Sequence, residues 1–102
     1  MSETNSVENS SYRMPTNTTL THVLKLCIVE DKPLMMDYWT QSLEKKVLIG
    51  IHQDTNEKLL VKSEDEYTSP ISKIYKVESE YIIITENSIY MISAEVDTKR
   101  IS

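Results

Sequence analysis

One glycine, one cysteine and no long apolar run mark this chain of 102 residues. Phosphate-cradling loops need several glycines, because only bare backbone lets consecutive N–H groups close on a phosphate. With Gly50 alone, a Walker-type or dinucleotide-binding loop is excluded. Cys27 alone cannot form an intramolecular disulfide, and the expected setting is a reducing, intracellular compartment. No apolar run exceeds four residues, as at Tyr81–Ile84, against the roughly 20 that a membrane helix needs. No membrane contact is expected, nor a secretory leader, since no apolar stretch follows Met1. The glycosylation-like triplets Asn9-Ser10-Ser11 and Asn17-Thr18-Thr19 then read as coincidences of a Ser/Thr-rich segment.

Catalytic and metal chemistry is equally thin. The candidate metal ligands are His22, Cys27, His52 and Asp54, without the paired spacing that zinc asks for, so no metal and no cofactor are expected. A nucleophilic Cys27 would need a histidine beside it, and a thiol in an apolar segment behaves as a small hydrophobe. Asp31 with Asp37, or the run Glu64-Asp65-Glu66, are the available carboxylate pairs, and acid runs in loops are solvated surface. No catalytic residue is assigned, and the chain is not expected to be an enzyme. Ser63, followed by three acids, matches an acid-directed kinase acceptor; the bland alternative is a polar loop.

The formal charge is −5. From Leu20 to Ala94 there are eight lysines, no arginine and twelve acids, so the acidity belongs to the folded part. A nucleic-acid binder usually carries a basic footprint, and its lack weighs against that partner. Residues 1–19 are nearly all Ser, Thr, Asn and Glu, too poor in apolar surface to offset the entropy of ordering them. They are expected to be a disordered tail, with residues 20–94 as a small β domain and 95–102 as a polar C-terminal tail. A core of roughly 75 residues buries only about 60% of its unfolded surface, and gains from a partner or from self-association.

Within 20–94, Leu24, Leu26 and Ile28 alternate with Lys25 and Cys27, which predicts a strand over Leu20–Glu30. Asp31-Lys32-Pro33 breaks it. Asp31 can cap a helix and Pro33 suits its first turn, and Met35, Trp39 and Leu43 recur every four residues, so a helix is expected over Pro33–Lys45. An irregular extended segment competes there, because Tyr38, Trp39 and Thr40 suit strands. Val47–Ile51 and Leu59–Lys62 flank a polar turn and predict a hairpin. Ile71–Val77, Tyr81–Thr85 and Ile89–Ser93 predict a meander. The expected fold is mainly β with one short helix, a small five- to six-stranded antiparallel barrel or curled sheet.

The last hairpin is apolar on both sides. A two-residue turn at Asn87-Ser88 sets Thr85 opposite Tyr90, Ile83 opposite Ile92 and Ile84 opposite Met91. Tyr81, Ile83, Thr85, Tyr90 and Ile92 then share one face and Ile82, Ile84 and Met91 the other. An antiparallel strand with one wet face should alternate, so something covers each side: the sheet and helix of the same chain, or a second chain.

Three stretches carry a resemblance: Glu30-Asp31-Lys32-Pro33 through Asp37-Tyr38-Trp39; Leu60-Val61-Lys62-Ser63 through Tyr67-Thr68-Ser69-Pro70-Ile71; and Thr85-Glu86-Asn87-Ser88-Ile89-Tyr90. In these the chain resembles small uncharacterised proteins of large DNA viruses that infect algae and protists. Thr68–Ile71, a strand and Thr85–Tyr90 are also similar to a short β unit of small phage proteins. The resemblance implies a viral, intracellular origin and supplies no activity. The expected function is a non-enzymatic protein-interaction or structural module, a viral accessory or virion component, with a protein partner or a homo-oligomer. Its expected contact residues are Met35, Tyr38, Trp39, Tyr81, Ile83, Tyr90 and Ile92, since aromatic and Met side chains concentrate at interface centres. The alternative is a small β-barrel that associates with nucleic acid through Lys58, Lys62, Lys73, Tyr75 and Lys76, with Tyr81 and Tyr90 as further stacking surfaces.

Overall fold

Thr16 and Asp31 set the ends of the first element. The computed structural model describes residues 13–101, so the part of the expected disordered tail in residues 1–12 lies outside the described residues. Thr16 is extended, and its side-chain oxygen accepts from the Thr19 N–H at 3.3 Å. That N-cap satisfies one of the donors orphaned at a helix start. Asp31 takes the left-handed conformation at φ 56°, and its N–H reaches the Cys27 carbonyl. Between the two runs helix α1, Asn17–Glu30.

This corrects the strand expected over 20–30. The alternation of Leu24, Leu26 and Ile28 mimics a strand, but the inward residues recur at helical spacing. Thr19 and Val23 are buried and Leu26, Cys27 and Glu30 half-buried, while Leu24 and Ile28 face solvent. The break at Asp31-Lys32-Pro33 falls where expected, yet Asp31 closes the helix before it instead of opening one after it. Residues 16–19, expected in the tail, start this helix.

The helix expected over 33–45 is also corrected. Pro33 gives its carbonyl to the Ile89 N–H at 2.9 Å, and Leu34–Met35 form a short strand, β1. Only Trp39–Leu43 is helical, as α2. Lys45 closes it at φ 59°, with the Lys45 N–H on the Ser42 carbonyl and the Lys46 N–H on the Gln41 carbonyl, a Schellman ending. The four-residue spacing of Met35, Trp39 and Leu43 therefore spans two elements.

The later strands form where the pattern places them. β2 (Leu48–His52) and β3 (Lys58–Val61) make the expected antiparallel hairpin. β4 (Ile71–Val77), β5 (Glu80–Thr85) and β6 (Ile89–Ser93) make the expected meander. A further strand, β7 (Asp97–Ile101), occupies the segment expected to be a polar tail, and pairs parallel with β2. β1 likewise pairs parallel with β6. The fold is mainly β, and among the described residues seven strands form two mixed sheets ordered β1-β6-β5-β4 and β3-β2-β7. It is not one closed antiparallel barrel. Among the described residues no helix is long and apolar enough to cross a membrane.

In the β5–β6 hairpin the turn falls at Glu86-Asn87, with the Thr85 N–H on the Ser88 carbonyl at 2.9 Å. Ile83 pairs with Tyr90, Tyr81 with Ile92 and Ile82 with Met91, so the expected register is off by two residues. A slip of two preserves the faces, because side chains alternate with period two. Both faces are covered from within the chain. Ile83 and Ile92 pack with Ile49 and Leu60 of the three-stranded sheet and with Tyr38, Val47 and Val96. Ile82, Ile84, Ile89 and Met91 pack with Val23 of α1 and Trp39 of α2. The four-stranded sheet is thus the middle layer between helices and a second sheet, with a hydrophobic cluster on each side.

Two closed clusters make a direct expectation. Ile82→Ala and Ile83→Ala each lower unfolding stability by about 2–5 kcal/mol, read from urea transitions of the isolated protein. A face left open in the monomer would instead give one of them a cost below about 1 kcal/mol.

Candidate binding site

The residues expected to contact a partner do not form one surface. Ile83 and Ile92 are fully buried, and Tyr38 and Trp39 nearly so. Adjacent in sequence, Tyr38 joins the cluster between the sheets and Trp39 the cluster under the helices. Tyr81 and Tyr90 are half-buried against the former. Only Met35, at 37%, counts as exposed. Internal packing accounts for this set, and Ser42 ties α2 to the sheet by accepting from the Ser93 N–H at 2.9 Å.

Tyr38 meets Tyr90 edge-on, with ring centroids 5.3 Å apart, and Lys62 Nζ lies 4.5 Å from the Tyr38 ring centroid. Burial foremost, then the nearby Tyr90, Asp37 and Glu66, push the Tyr38 phenol up to about 12. Tyr90 is also raised, by burial and then Asp37. Both phenols stay neutral across ordinary pH and serve as packing groups.

The lysines proposed for nucleic acid are scattered. Lys62 is committed to the Tyr38 ring, and Lys73 lies 3.9 Å from Glu30. Lys58 and Lys73 do meet at an open cleft of about 430 Å³ beside the β4 edge, but Glu57 shares its lining. Tyr75 is 40% exposed and Lys76 is exposed. Consecutive on β4, they point to opposite faces.

Among the described residues no cluster of three or more His, Cys, Asp or Glu side chains is placed to hold a metal ion. His22 is exposed on α1, and burial raises the Cys27 thiol above its ordinary 9.0, away from a nucleophilic thiolate. Asp37, Glu64, Asp65 and Glu66 are exposed. The Ser63 hydroxyl oxygen accepts from the Asp65 and Glu66 N–H groups, each at 3.2 Å, so it braces its own loop.

The most unusual ionisable group is Glu80, which has no exposed surface. Its carboxylate accepts from Arg13 at 2.8 Å, Thr19 at 2.5 Å, Ser79 at 3.1 Å and Thr16 at 3.2 Å. Arg13 also stacks over Trp39, its guanidinium carbon 5.2 Å from the ring centroid, and accepts from Trp39 Nε1 at 2.9 Å through its carbonyl. Burial alone would raise the acid, but the hydrogen bonds from Thr19, Arg13, Ser79 and Thr16 outweigh it and hold Glu80 below its ordinary 4.5. Four donors from separate parts of the chain converge on this one carboxylate, so the network is a lock between α1 and the sheet.

The exposed apolar residues lie elsewhere. Leu24, Ile28 and Val29 on α1 are 56%, 81% and 77% exposed. Leu24 and Ile28 stand one turn apart, so they are adjacent on the helix surface, and half-buried Leu20 extends their row by a further turn. The sequence reading missed this surface, because it placed these residues on a strand. The signal that could have found it is Thr16, an N-cap residue type, ahead of inward residues at helical spacing, Thr19, Val23 and Cys27. No family model matches this chain, and neither a curated protein nor a solved structure matches it.

The sign of the Glu80 effect follows from its lowered folded value. The stabilisation is fully present above the unfolded pKa, near 4.5, and is lost as pH falls through the folded one. Glu80→Gln costs about 1–3 kcal/mol near neutral pH by removing the charge from its hydrogen bonds. The gap between wild type and variant closes as pH falls from neutral through the lowered folded pKa, read from urea midpoints across the range. A gap that stays constant with pH would show that the carboxylate charge contributes nothing.

Proposed function

We propose that this protein is a non-enzymatic interaction module that docks a protein partner along the outer face of α1. The observation that carries the reading is the exposure of Leu24, Ile28 and Val29 in a chain whose own hydrophobic clusters are already closed. Single exposed hydrophobes are ordinary, whereas adjacent ones on a rigid element mark contact surfaces. The row Leu20, Leu24, Ile28 has the i, i+4, i+8 spacing with which an amphipathic helix lies in a groove. α1 is presented already folded, capped at Thr16 and locked through Glu80, so a partner bears little ordering entropy for it. In the viral, intracellular setting that the resemblance implies, such a module acts as an accessory or virion component.

The nucleic-acid alternative draws support from Lys58 and Lys73 at one cleft. It is the weaker reading, because Glu57 and Glu30 sit beside those lysines and the chain carries a net charge of −5.

The test is a triple variant, Leu24→Gln, Ile28→Gln and Val29→Gln, compared with wild type in affinity capture from nuclease-treated lysate and in sedimentation equilibrium. The variant should keep its unfolding stability within about 1 kcal/mol, since all three side chains are on the surface. It should lose the stoichiometric partner, or the self-association, that wild type shows. A partner retained by the folded triple variant sinks the α1 surface, and partners that vanish with nuclease in wild type transfer the function to nucleic acid.

A further inference from the structure

Each sheet ends in two edge strands, β1 and β4 in one and β3 and β7 in the other. β1 is only two residues long. β3 gives its outward backbone to the loop that follows it. The Thr68 N–H bonds to the Leu60 carbonyl and the Lys62 N–H to the Glu66 carbonyl, each at 2.9 Å, and the Leu60 N–H to the Thr68 hydroxyl at 3.1 Å. β4 is bulged between Ile71 and Lys73 and carries Lys73 and Lys76, the usual devices against strand addition. β7 is different. Its register with β2 runs unbroken over five residues, and Asp97, Thr98, Lys99 and Arg100 are all exposed.

The parallel register says which groups lie on that edge. The Gln53 N–H bonds to the Ile101 carbonyl at 3.0 Å, so Ile101 turns its backbone toward β2. In an extended strand the N–H and C=O of one residue point to the same edge, and those of the next residue to the other. Lys99 and Asp97 therefore also bond toward β2, while Thr98 and Arg100 present their backbone groups to the free edge. The side chains follow the pairing. Asp97 lies beside Leu48 and Lys99 beside Gly50, which in turn pairs with Leu59. All of these share the outer face, since Ile49 and Leu60 point into the cluster between the sheets. Thr98 and Arg100 point to the opposite face and are exposed there too, which leaves room for a further strand.

An acid and a base at alternate positions on one strand face are self-complementary. We propose that the protein pairs with a second copy of itself through this edge, β7 running antiparallel to β7, so that the two three-stranded sheets become one continuous sheet. A twofold axis at Thr98 makes Thr98 and the second copy's Thr98 a hydrogen-bonded pair. It sets Asp97 opposite the second copy's Lys99, and Lys99 opposite its Asp97, at the closer, non-hydrogen-bonded positions. Opposite charges directly across a ladder attract and like charges repel. Moving the axis by one residue, to Lys99, sets the two Lys99 side chains against each other, so charge fixes the register. Such a twofold contact is closed and stops at the dimer. It is small beside the roughly 1,200–2,000 Å² of a stable interface, so the dimer is a weak one. This edge is separate from the α1 surface, and the inference does not rest on it.

The experiment is sedimentation equilibrium of the full chain up to about 1 mM at low salt, with far-ultraviolet circular dichroism to check the fold of each variant. Wild type should show a monomer–dimer equilibrium that weakens as salt is added. Lys99→Asp turns both attractions into repulsions and should weaken the dimer by about tenfold or more. Asp97→Lys together with Lys99→Asp recreates the pairs in reverse and should restore it. Thr98→Pro removes an N–H from the free edge, leaves the ladder to β2 intact and should abolish the dimer. A wild type that stays monomeric at about 1 mM would overturn the proposal. So would a dimer unchanged by Lys99→Asp, or one that the double variant fails to restore. A dimer lost in the Leu24, Ile28 and Val29 triple variant but kept in Lys99→Asp would also overturn it, and would place self-association on α1.

Discussion

A carboxylate with no access to water has to be paired, and Glu80 is paired by groups from three parts of the chain. Arg13 comes from the arm before α1, Thr16 and Thr19 from the helix N-terminus, and Ser79 from the turn that opens β5. Thr19 also donates to the Val77 carbonyl at 3.3 Å, which ties the same turn of α1 to the end of β4. Removing one partner of a buried charge leaves the rest uncompensated, a far larger cost than the pair's net worth. The helix therefore has one position on the sheet, and the arm one position over Trp39. That placement puts Val23 over Ile82 and Ile84, which would otherwise be an open apolar face.

The middle sheet follows from the same constraint. Ile82, Ile83 and Ile84 in succession have no polar side to turn outward, so β5 is stable only with a layer on each face. α1 and α2 supply one layer and the β3-β2-β7 sheet the other. Tyr38 and Trp39, side by side in sequence, serve one cluster each. At this point the chain leaves β1, an edge strand of the middle sheet, and enters α2, with one aromatic side chain turned into each cluster. The acidic surface and the few lysines are left to the rims.

The strand regions were legible in the sequence because their signals are local and mutually consistent: β-branched runs bounded by polar turns over 47–62 and 71–93. The faces of the last hairpin survived a two-residue register error for the reason that pleated strands repeat every two residues. The region before residue 46 was misread because two features carried opposite meanings. Leu24, Leu26 and Ile28 alternate like a strand, yet Leu24 and Ile28 are the helix residues that face water. Asp31 looks like a helix start, but its short polar side chain also tolerates the left-handed conformation that ends one. β7 was invisible for a different cause. Asp-Thr-Lys-Arg-Ile has almost no apolar content, and it is a strand because it borders β2 and because Val96 anchors its entry in the core. Nothing near Glu80 in sequence reveals that Arg13, 67 residues away, will neutralise it.

The two outward surfaces rest on different clusters, and this bears on how the molecule can work. The α1 row backs onto Val23 and Cys27 in the helix-side cluster, whereas Leu59 lies beyond Ile49 and Leu60 in the cluster between the sheets. Between them is a sheet whose central side chains, Ile82, Ile83 and Ile84, are buried. The exposed helix row and the outer face of β2 and β3 therefore lie on opposite sides of a sheet that is buried on both faces.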